Sequence, residues 1–225
     1  MALSVAEHKC LTDQIGAICR RECIGATPIR VRRRSNIYNS GQADSHVYFV
    51  ESGRVNQMMF SPDGKVCLLS VHGPDEIFGE GCLLEPEQQA TASAMKDTVL
   101  RRVPAGRFLA ALGEEGLLEA FIRYLVNQMA EQQQVILGFA TMDSKLRLAT
   151  ALLQLGRKFG RRHPQGLCIS ERLTQEELSE MVGTTRSRVG FFLKGFGAVG
   201  LLNFDRNGFI VVDEKRLANY VGISV

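Results

Sequence analysis

The stretch LTQEELSEMVGTTRSRVGFFLKGF, residues 173–196, decides the fold of the C-terminal third of the chain. Thr174 and Glu177 have the spacing of a capping box, which predicts that a first short helix begins there. Gly183 and Thr184 predict a tight turn. A second helix follows, because apolar residues recur with the i, i+3, i+4, i+7 spacing of a helix that buries one face. These apolar residues are Val189, Phe192, Leu193 and Phe196.

The opposite face of the second helix carries cationic, hydroxyl and aromatic side chains that packing does not require. A hairpin follows, with its turn at Asn207-Gly208, which is the strongest short hairpin signal. Two helices, a tight turn and a β-wing predict a winged helix-turn-helix. Such a motif places the N-terminal part of its second helix in the major groove of DNA. The predicted DNA-binding residues are Thr174, Gln175, Thr184, Thr185, Arg186, Ser187, Arg188, Gly190, Phe191 and Lys194.

The residue types on this face suggest separate roles. Arg186 and Arg188 lie in the first turns, where an arginine can pair with guanine O6 and N7. Gly190 has no side chain where the helix is expected to approach bases or backbone closely. Phe191 is a candidate for contact with a thymine methyl group. Phosphate contacts, which position a protein without reading sequence, are expected from Lys194, Thr174 and Gln175.

The totals describe an ordinary globular protein with space for one large domain or two small ones. The chain has 225 residues, 45% hydrophobic and 23% charged, and no apolar run long enough to cross a membrane. MALSVAEHKC at the N-terminus has an acid and a histidine where a signal peptide has its apolar core. We therefore expect a cytoplasmic protein without a membrane partner, whose six cysteines are reduced.

Positive charge is concentrated toward the C-terminus. From Asp143 onward there are 13 Lys+Arg against 8 Asp+Glu, whereas the preceding residues have 14 against 16. A basic C-terminal third favours a polyanionic partner. The alternative is a solvated charged surface. A helix is predicted over Asp143–Gly160, with Asp143 as its N-cap. GRKFGRRHPQG, residues 156–166, is predicted to be a basic loop, because Gly and Pro bound it.

Short β-rich runs alternate with turn signals between about residues 29 and 103, after a helical lead-in over residues 1–25. Ser52-Gly53, Asp63-Gly64 and Gly73-Pro74 separate these runs, and such spacing predicts a small barrel or sandwich. Pro104 fits the start of a short helix that ends near Gly113.

A long helix is predicted over Glu114–Phe139. Its apolar positions follow a heptad seam interrupted by one glutamine, which is more typical of contact with a second copy than of packing within one chain. Intramolecular packing of the same seam is the alternative. The predicted dimer interface consists of Leu118, Ile122, Leu125, Met129, Gln132, Ile136 and Phe139.

Taken together, these motifs resemble the Crp/Fnr family of bacterial transcription regulators over nearly the whole chain. VYFVESGRV, residues 47–55, is similar to the family's barrel strands. IFGEGCLL, residues 77–84, is similar to its phosphate cassette, and the 173–196 stretch to its helix-turn-helix. The resemblance implies an α+β fold with an N-terminal cyclic-nucleotide-binding-like β-roll (a jelly-roll) in residues 1–113. It further implies a dimerisation helix in 114–141 and a winged helix-turn-helix in 142–225.

The resemblance also implies a function. A homodimer would bind a palindromic site on double-stranded DNA, with RNA polymerase as a further partner and no catalytic residues. A regulatory module that acts through protein contacts is the alternative, which the arginines on the reading face disfavour. The chain lacks the H-E-x-x-H, G-x-S-x-G and P-loop patterns of common enzyme classes.

The effector pocket implied by the resemblance lacks one essential charge. Members that bind cyclic AMP have an Arg-Ser/Thr-Ala sequence whose arginine holds the cyclic phosphate, whereas this chain reads Ala90-Thr91-Ala92. Cyclic AMP in the usual mode is therefore not expected, since a buried phosphate without its cation is costly. Arg101 or Arg102 is a possible substitute. The candidate pocket residues are Gly79, Glu80, Gly81, Cys82, Ala90, Thr91, Gln132 and Gln133.

The cysteines leave the cofactor unknown. Cys10, Cys19 and Cys23 could ligate an iron-sulfur cluster with Cys67 or Cys82, although their spacing differs from that of the cluster-binding branch of the family. Thiol redox sensing and inert buried thiols are alternatives, as is haem. The haem ligands would come from His8, His46, His72 and Cys67.

Overall fold

The computed structural model describes residues 5–23, 27–61, 66–170 and 172–223, with side chains from residue 12 onward. It divides into two compact units. One consists of Met1–Phe60 and Leu68–Val135, and the other of Ser61–Cys67 and Ile136–Val225. In the described residues, no helix is long and apolar enough to cross a membrane.

The N-terminal unit is built on two four-stranded sheets with the orders β1-β8-β3-β6 and β2-β7-β4-β5. Pairings such as β3 with β8 and β4 with β7 are antiparallel. The sheets confirm the predicted β-roll. The strands are β1 (Ile29–Val31), β2 (Asn36–Tyr38), β3 (His46–Ser52), β4 (Val55–Phe60), β5 (Val66–His72), β6 (Ile77–Phe78), β7 (Thr91–Ala94) and β8 (Thr98–Pro104).

Helices cover one side of this roll. They are α1 (Val5–Glu22), α2 (Ala105–Glu114), α3 (Leu118–Thr141) and a short 3₁₀ helix, η1 (Glu80–Leu83). A core cluster joins Phe108 and Leu112 of α2 to Phe121 of α3 and to the β3 residue Phe49. A second cluster lies in the roll, where the aromatic rings of Tyr48 and Phe78 stack 5.1 Å apart.

The helix predicted from Glu114 begins four residues later, at Leu118. Helix α2 continues through Glu114, and Gly116 then takes a left-handed conformation with φ 67°. The amide of Leu117 donates back to the carbonyl of Leu112, which closes the end of α2. The left-handed glycine thus sets the start of α3, because other residues rarely adopt that conformation.

The C-terminal unit confirms the predicted winged helix-turn-helix. Asp143 caps α4 by accepting from the Leu146 amide at 2.8 Å. The antiparallel sheet has the order β11-β12-β10-β9. Its helices are α4 (Ser144–Phe159), α5 (Gln175–Val182), α6 (Arg186–Ala198) and α7 (Glu214–Tyr220). Its strands are β9 (Gly160–His163), β10 (Gly166–Ile169), β11 (Leu202–Phe204) and β12 (Ile210–Val212).

The helix predicted over Asp143–Gly160 is confirmed as α4, but the loop predicted over residues 156–166 is wrong. Helix α4 extends to Phe159, and β9 and β10 form a hairpin in which Leu167 pairs with Arg162 and Cys168 with Arg161. Consecutive arginines hide the alternation by which a half-buried strand is normally identified. Strand β9 lies at the edge of its sheet, where charged residues are common because they discourage pairing with other chains.

Helix α1 packs on the β-roll through a close approach at Gly16. A Cβ at this position would lie 2.9 Å from Cε2 of Phe49, a buried ring of the core. One turn further on, the Arg20 guanidinium lies over the same ring at 5.2 Å and pairs with Asp75 at 2.6 Å. The close approach of Gly16 and the position of Arg20 over the Phe49 ring both require α1 to lie close to β3.

We predict that Gly16→Ala lowers the free energy of unfolding by about 1–3 kcal/mol, because the added methyl overpacks the contact with Phe49. Gly113→Ala in α2 is the matched control, since a Cβ there meets nothing within 4 Å. The control should be neutral or more stable by up to about 1 kcal/mol from helix propensity. Urea unfolding measures both, and equal stability of the two variants would contradict the close contact.

Candidate nucleic-acid interface

The start of α5 is fixed by the predicted capping box. Thr174 Oγ1 accepts from the Glu177 amide at 3.1 Å, and Glu177 Oε2 accepts from the Thr174 amide at 2.7 Å. The Thr174 hydroxyl also donates to Glu177 Oε2, at 2.9 Å. This engagement differs from the phosphate contact predicted for Thr174, because the hydroxyl proton already has an acceptor.

The turn between α5 and α6 depends on Gly183. It is left-handed with φ 62°, and its backbone amide donates to the Ser179 carbonyl. A Cβ there would meet the Phe139 ring at 2.9 Å. The Thr184 amide also donates to Ser179, at 3.0 Å. Only glycine satisfies both the conformation and the close approach of Phe139.

Helix α6 has two faces of different chemistry. Thr185 caps it by accepting from the Arg188 amide and shares a hydrogen bond with Ser187 at 3.2 Å. The predicted apolar residues, Val189, Phe192, Leu193 and Phe196, are all buried. This anchors one face against the unit, so the other face is available for a ligand.

The opposite face presents the predicted reading residues. Arg186, Ser187, Arg188 and Lys194 are exposed, and Phe191 is 74% exposed. In the part of the chain that the structure describes, neither guanidinium nor the Lys194 ammonium has an ion-pair partner. Arg186 and Arg188 lie at the N-terminal end of α6 and Lys194 lies two turns further on. Such cations suit phosphate and guanine acceptors.

Gly190 has a role within the protein that was not predicted. A Cβ at Gly190 would lie 2.9 Å from Oε1 of Gln175, the first residue of α5. The glycine therefore makes space for a protein side chain, and its half-buried position reflects that contact. Gln175 consequently lies against α6, where the sequence alone had suggested only a phosphate contact.

Helix α3 exposes an apolar stripe in the N-terminal unit. Leu118, Ile122, Val126 and Met129 are 46–59% exposed, whereas Tyr124 on the opposite side is fully buried. Val126 was not among the predicted interface residues. The prediction followed a heptad spacing, whereas the exposed apolar residues are spaced by four, four and three residues. The exposed residues continue one face of the helix.

Of the other predicted interface residues, some are exposed to solvent and some pack against residues of their own unit. Leu125 is partly buried against the core of its own unit. In the C-terminal unit, Ile136 is exposed, but Phe139 contacts Gly183 and lies under the Arg147 guanidinium at 4.7 Å. Gln132 is exposed. For Leu125 and Phe139, therefore, the structure favours the intramolecular alternative.

The candidate effector site contains a buried acid. Gly79 is left-handed with φ 81°, and a Cβ there would approach the Tyr48 ring at 3.2 Å. Glu80 follows it and begins η1, which includes Gly81 and Cys82. Burial raises the pKa of the Glu80 carboxyl. Its Oε2 has no hydrogen-bond partner among the described residues.

The remaining pocket candidates supply no cation. Ala90 is buried, and Thr91 Oγ1 accepts from the Ser40 amide at 3.1 Å. Gln132 and Gln133 are exposed on α3. Of the possible substitutes for the missing arginine, Arg101 pairs with Glu51 and donates to the Cys23 carbonyl at 3.0 Å. Arg102 is exposed.

A partly buried polar network in the β-roll was not predicted. Gln57 Nε2 donates to the Tyr38 hydroxyl at 2.9 Å, and Gln57 Oε1 lies 2.8 Å from Ser70 Oγ and 2.9 Å from His72 Nε2. The His72 ring also lies near the Phe78 ring, with centroids 5.6 Å apart and planes tilted by 35°. The alternation of Ser70 and His72 along β5 was the available signal, since both point to one face.

The described cysteines are in environments that favour the neutral thiol. Cys19, Cys23 and Cys82 belong to one apolar cluster. Burial raises the pKa of each of these thiols, to about 11 for Cys82. The side chains of Cys10 and of the haem candidate His8 lie outside the described residues.

The described residues also contain no group of three His, Cys, Asp or Glu that could hold a metal ion. Two of the haem candidates are already engaged by protein groups. His46 Nδ1 lies 2.8 Å from Asp44 Oδ1, and His72 Nε2 lies 2.7 Å from Ser70 Oγ. Cys67, the other candidate, is half-buried, which raises its pKa.

Comparison with known proteins identifies both units. Residues 28–115 match the cyclic nucleotide-binding domain, and residues 146–220 match the Crp-like helix-turn-helix domain. A CRP-like cAMP-activated global transcriptional regulator from Mycobacterium tuberculosis is 29% identical over 196 residues, which are 85% of this chain and 86% of that protein.

Two solved structures share the fold. FixK2 from Bradyrhizobium japonicum has a TM-score of 0.73 and 23% identity, over 86% of this chain and 96% of that one. The c-di-GMP responsive global regulator CLP from Xanthomonas campestris has a TM-score of 0.72 and 23% identity, over 87% and 98%. With its two domains in the family order, this chain belongs to the Crp/Fnr family of transcription regulators, which are DNA-binding proteins and not enzymes.

Proposed function

We propose that this regulator is a homodimer that binds a palindromic DNA site, with α6 of each protomer in the major groove of one half-site. The observation that carries this proposal is the division of α6 into a buried apolar face and an exposed face with two guanidiniums. Arg186 and Arg188 have no ion-pair partner among the described residues, so DNA binding would not break an existing pair.

Contacts with phosphate would position this helix. Lys194 is exposed two turns after Arg186, and the Gln175 side chain is held against α6 at Gly190. An amide held in place loses less conformational entropy when it binds than a mobile one does. Thr184 and Thr185 lie at the turn, where the backbone amides that open α6 favour an anion.

The proposed dimer contact uses the apolar stripe of α3 in the N-terminal unit. Four large apolar side chains exposed along one helix face are costly in water, and a second copy of the same face would bury them. Two-fold symmetry would then pair the two DNA-binding units with two half-sites about 34–36 Å apart. RNA polymerase is the further partner we expect for a DNA-bound regulator of this family.

We propose that the regulator does not use cyclic AMP in the usual mode. Ala90 offers no charge to a cyclic phosphate, Arg101 is paired with Glu51, and Arg102 is exposed. The name of the Mycobacterium tuberculosis relative includes activation by cAMP, while the Xanthomonas campestris protein is described as c-di-GMP responsive. Effectors therefore differ among proteins of this fold, which is compatible with an effector-free, redox or gas-sensing regulator here.

DNA recognition is tested by selecting duplexes from a random pool and measuring the affinity of variants for the selected site. Arg186→Ala should weaken specific binding by about 1–3 kcal/mol and relax the preference at one base pair per half-site. Arg107→Ala is the control, because it removes an exposed guanidinium from the N-terminal unit. An unchanged specificity profile in Arg186→Ala would remove that residue from the reading role, and failure to select any duplex would favour a module that acts through protein contacts.

The dimer contact is tested by placing a charge in the apolar stripe. Val126→Glu should raise the dimer dissociation constant by roughly 100-fold or more, because two unpaired carboxylates would be buried per dimer. Gln134→Glu introduces the same charge at an exposed α3 position outside the stripe and should leave the dimer intact. Sedimentation equilibrium distinguishes the two. A Val126→Glu protein as dimeric as the wild type would show that α3 does not form the contact through this stripe.

The cyclic AMP proposal is tested by calorimetric titration of the wild-type protein. No heat of specific binding is expected at millimolar cyclic AMP, and the melting temperature should stay unchanged, because only a ligand that binds the folded state raises it. Cyclic AMP that binds at micromolar concentration and raises the melting temperature would contradict the account of Ala90.

A further inference from the structure

Phe191 lies at the centre of the exposed face of α6. At 100° per residue, the direction opposite the buried residues runs along Ser187, Phe191 and Lys194, all of which are exposed. Phe191 is 74% exposed, the largest fraction among the exposed aromatic residues described. The arginines lie to either side of this line, so the aromatic ring occupies the position that would face the middle of a groove.

The surroundings of Phe191 leave its ring accessible. Its ring neighbour is Phe192, with ring centroids 6.1 Å apart in an edge arrangement. One turn further along is Gly195, where a Cβ would meet nothing within 4 Å. Side chains on a helix lean toward its N-terminus, so the ring leans toward Ser187 and Arg188, the part of α6 expected in the groove.

An apolar ring at this position can recognise one group in the major groove. Every base edge there presents hydrogen-bond donors or acceptors, but thymine alone among the four bases adds an apolar C5-methyl group. We propose that Phe191 contacts the C5-methyl group of a thymine, so that each half-site contains a thymine at the base pair facing this ring. This inference rests on the proposed DNA-binding function and assigns a base preference within it.

A protein partner is the other surface that could cover an exposed phenylalanine. Here the ring is flanked by Arg188 and Lys194, which an apolar protein surface would leave buried and unpaired at a high cost. A DNA duplex supplies phosphates and guanine acceptors for the same cations, as well as a methyl group for the ring. The mixed chemistry of the face therefore favours DNA.

The experiment replaces each thymine of the selected duplex, one at a time, with deoxyuridine, which removes only the methyl group. Wild-type protein should lose about fourfold in affinity at one position per half-site, since burying one methyl-sized group contributes roughly that factor. Phe191→Ala should bind the thymine and deoxyuridine duplexes equally at that position. Phe191→Leu, which keeps an apolar side chain, should retain part of the discrimination.

Phe60→Ala serves as the matched control. It removes another exposed phenylalanine, 52% exposed in β4, and should keep the full wild-type discrimination. A wild-type protein that selects a specific site but tolerates deoxyuridine everywhere would overturn the inference while leaving the proposed function intact. A selected site without thymine in each half-site would also overturn it. Failure to bind any duplex would contradict the proposed function itself.

Discussion

Burial of one face of α6 is the constraint on which the DNA-binding account depends. Val189, Phe192, Leu193 and Phe196 are buried together, and such residues contribute roughly 1.5–3 kcal/mol each when removed from water. This fixes the rotation of the helix about its axis. The charged residues then point outward as a consequence of apolar packing, without any contact that specifies them individually. The capping box fixes the start of α5, and the left-handed Gly183 ends that helix and opens the turn into α6.

In the β-roll, by contrast with α6, the candidate effector site lacks a cation, because Ala90 stands where members that bind cyclic AMP have an arginine. Ala90 is uncharged, and the Glu80 carboxyl, whose pKa burial raises, supplies no cation either, so we propose that this site does not hold a desolvated phosphate. The polar network of Gln57, Ser70 and His72 occupies the neighbouring strands instead. The β-roll can therefore keep its sheets while the side chains of the candidate effector site differ from those of members that bind cyclic AMP. Strand pairing depends on backbone hydrogen bonds, whereas ligand binding depends on the side chains of the site.

The elements that could be predicted from the sequence are those decided by local spacing. The capping box, the left-handed turn and the split faces of α6 depend on residues within one or two helical turns. The reason for Gly190 could not be predicted, because its close neighbour, Gln175, belongs to a different helix. Likewise, the heptad in α3 does not distinguish residues that pack inward, such as Leu125, from those that face solvent. The β9–β10 hairpin was missed because its arginines conceal the strand period.

Hydroxyl-radical footprinting of the protein on its selected duplex tests the central claim most directly. The account requires two symmetric helices in successive major grooves of one face of the DNA. It therefore predicts two protected tracts related by a dyad, with centres about 10–10.5 base pairs apart. A single protected tract for each bound protein, or protection without two-fold symmetry, would contradict the account.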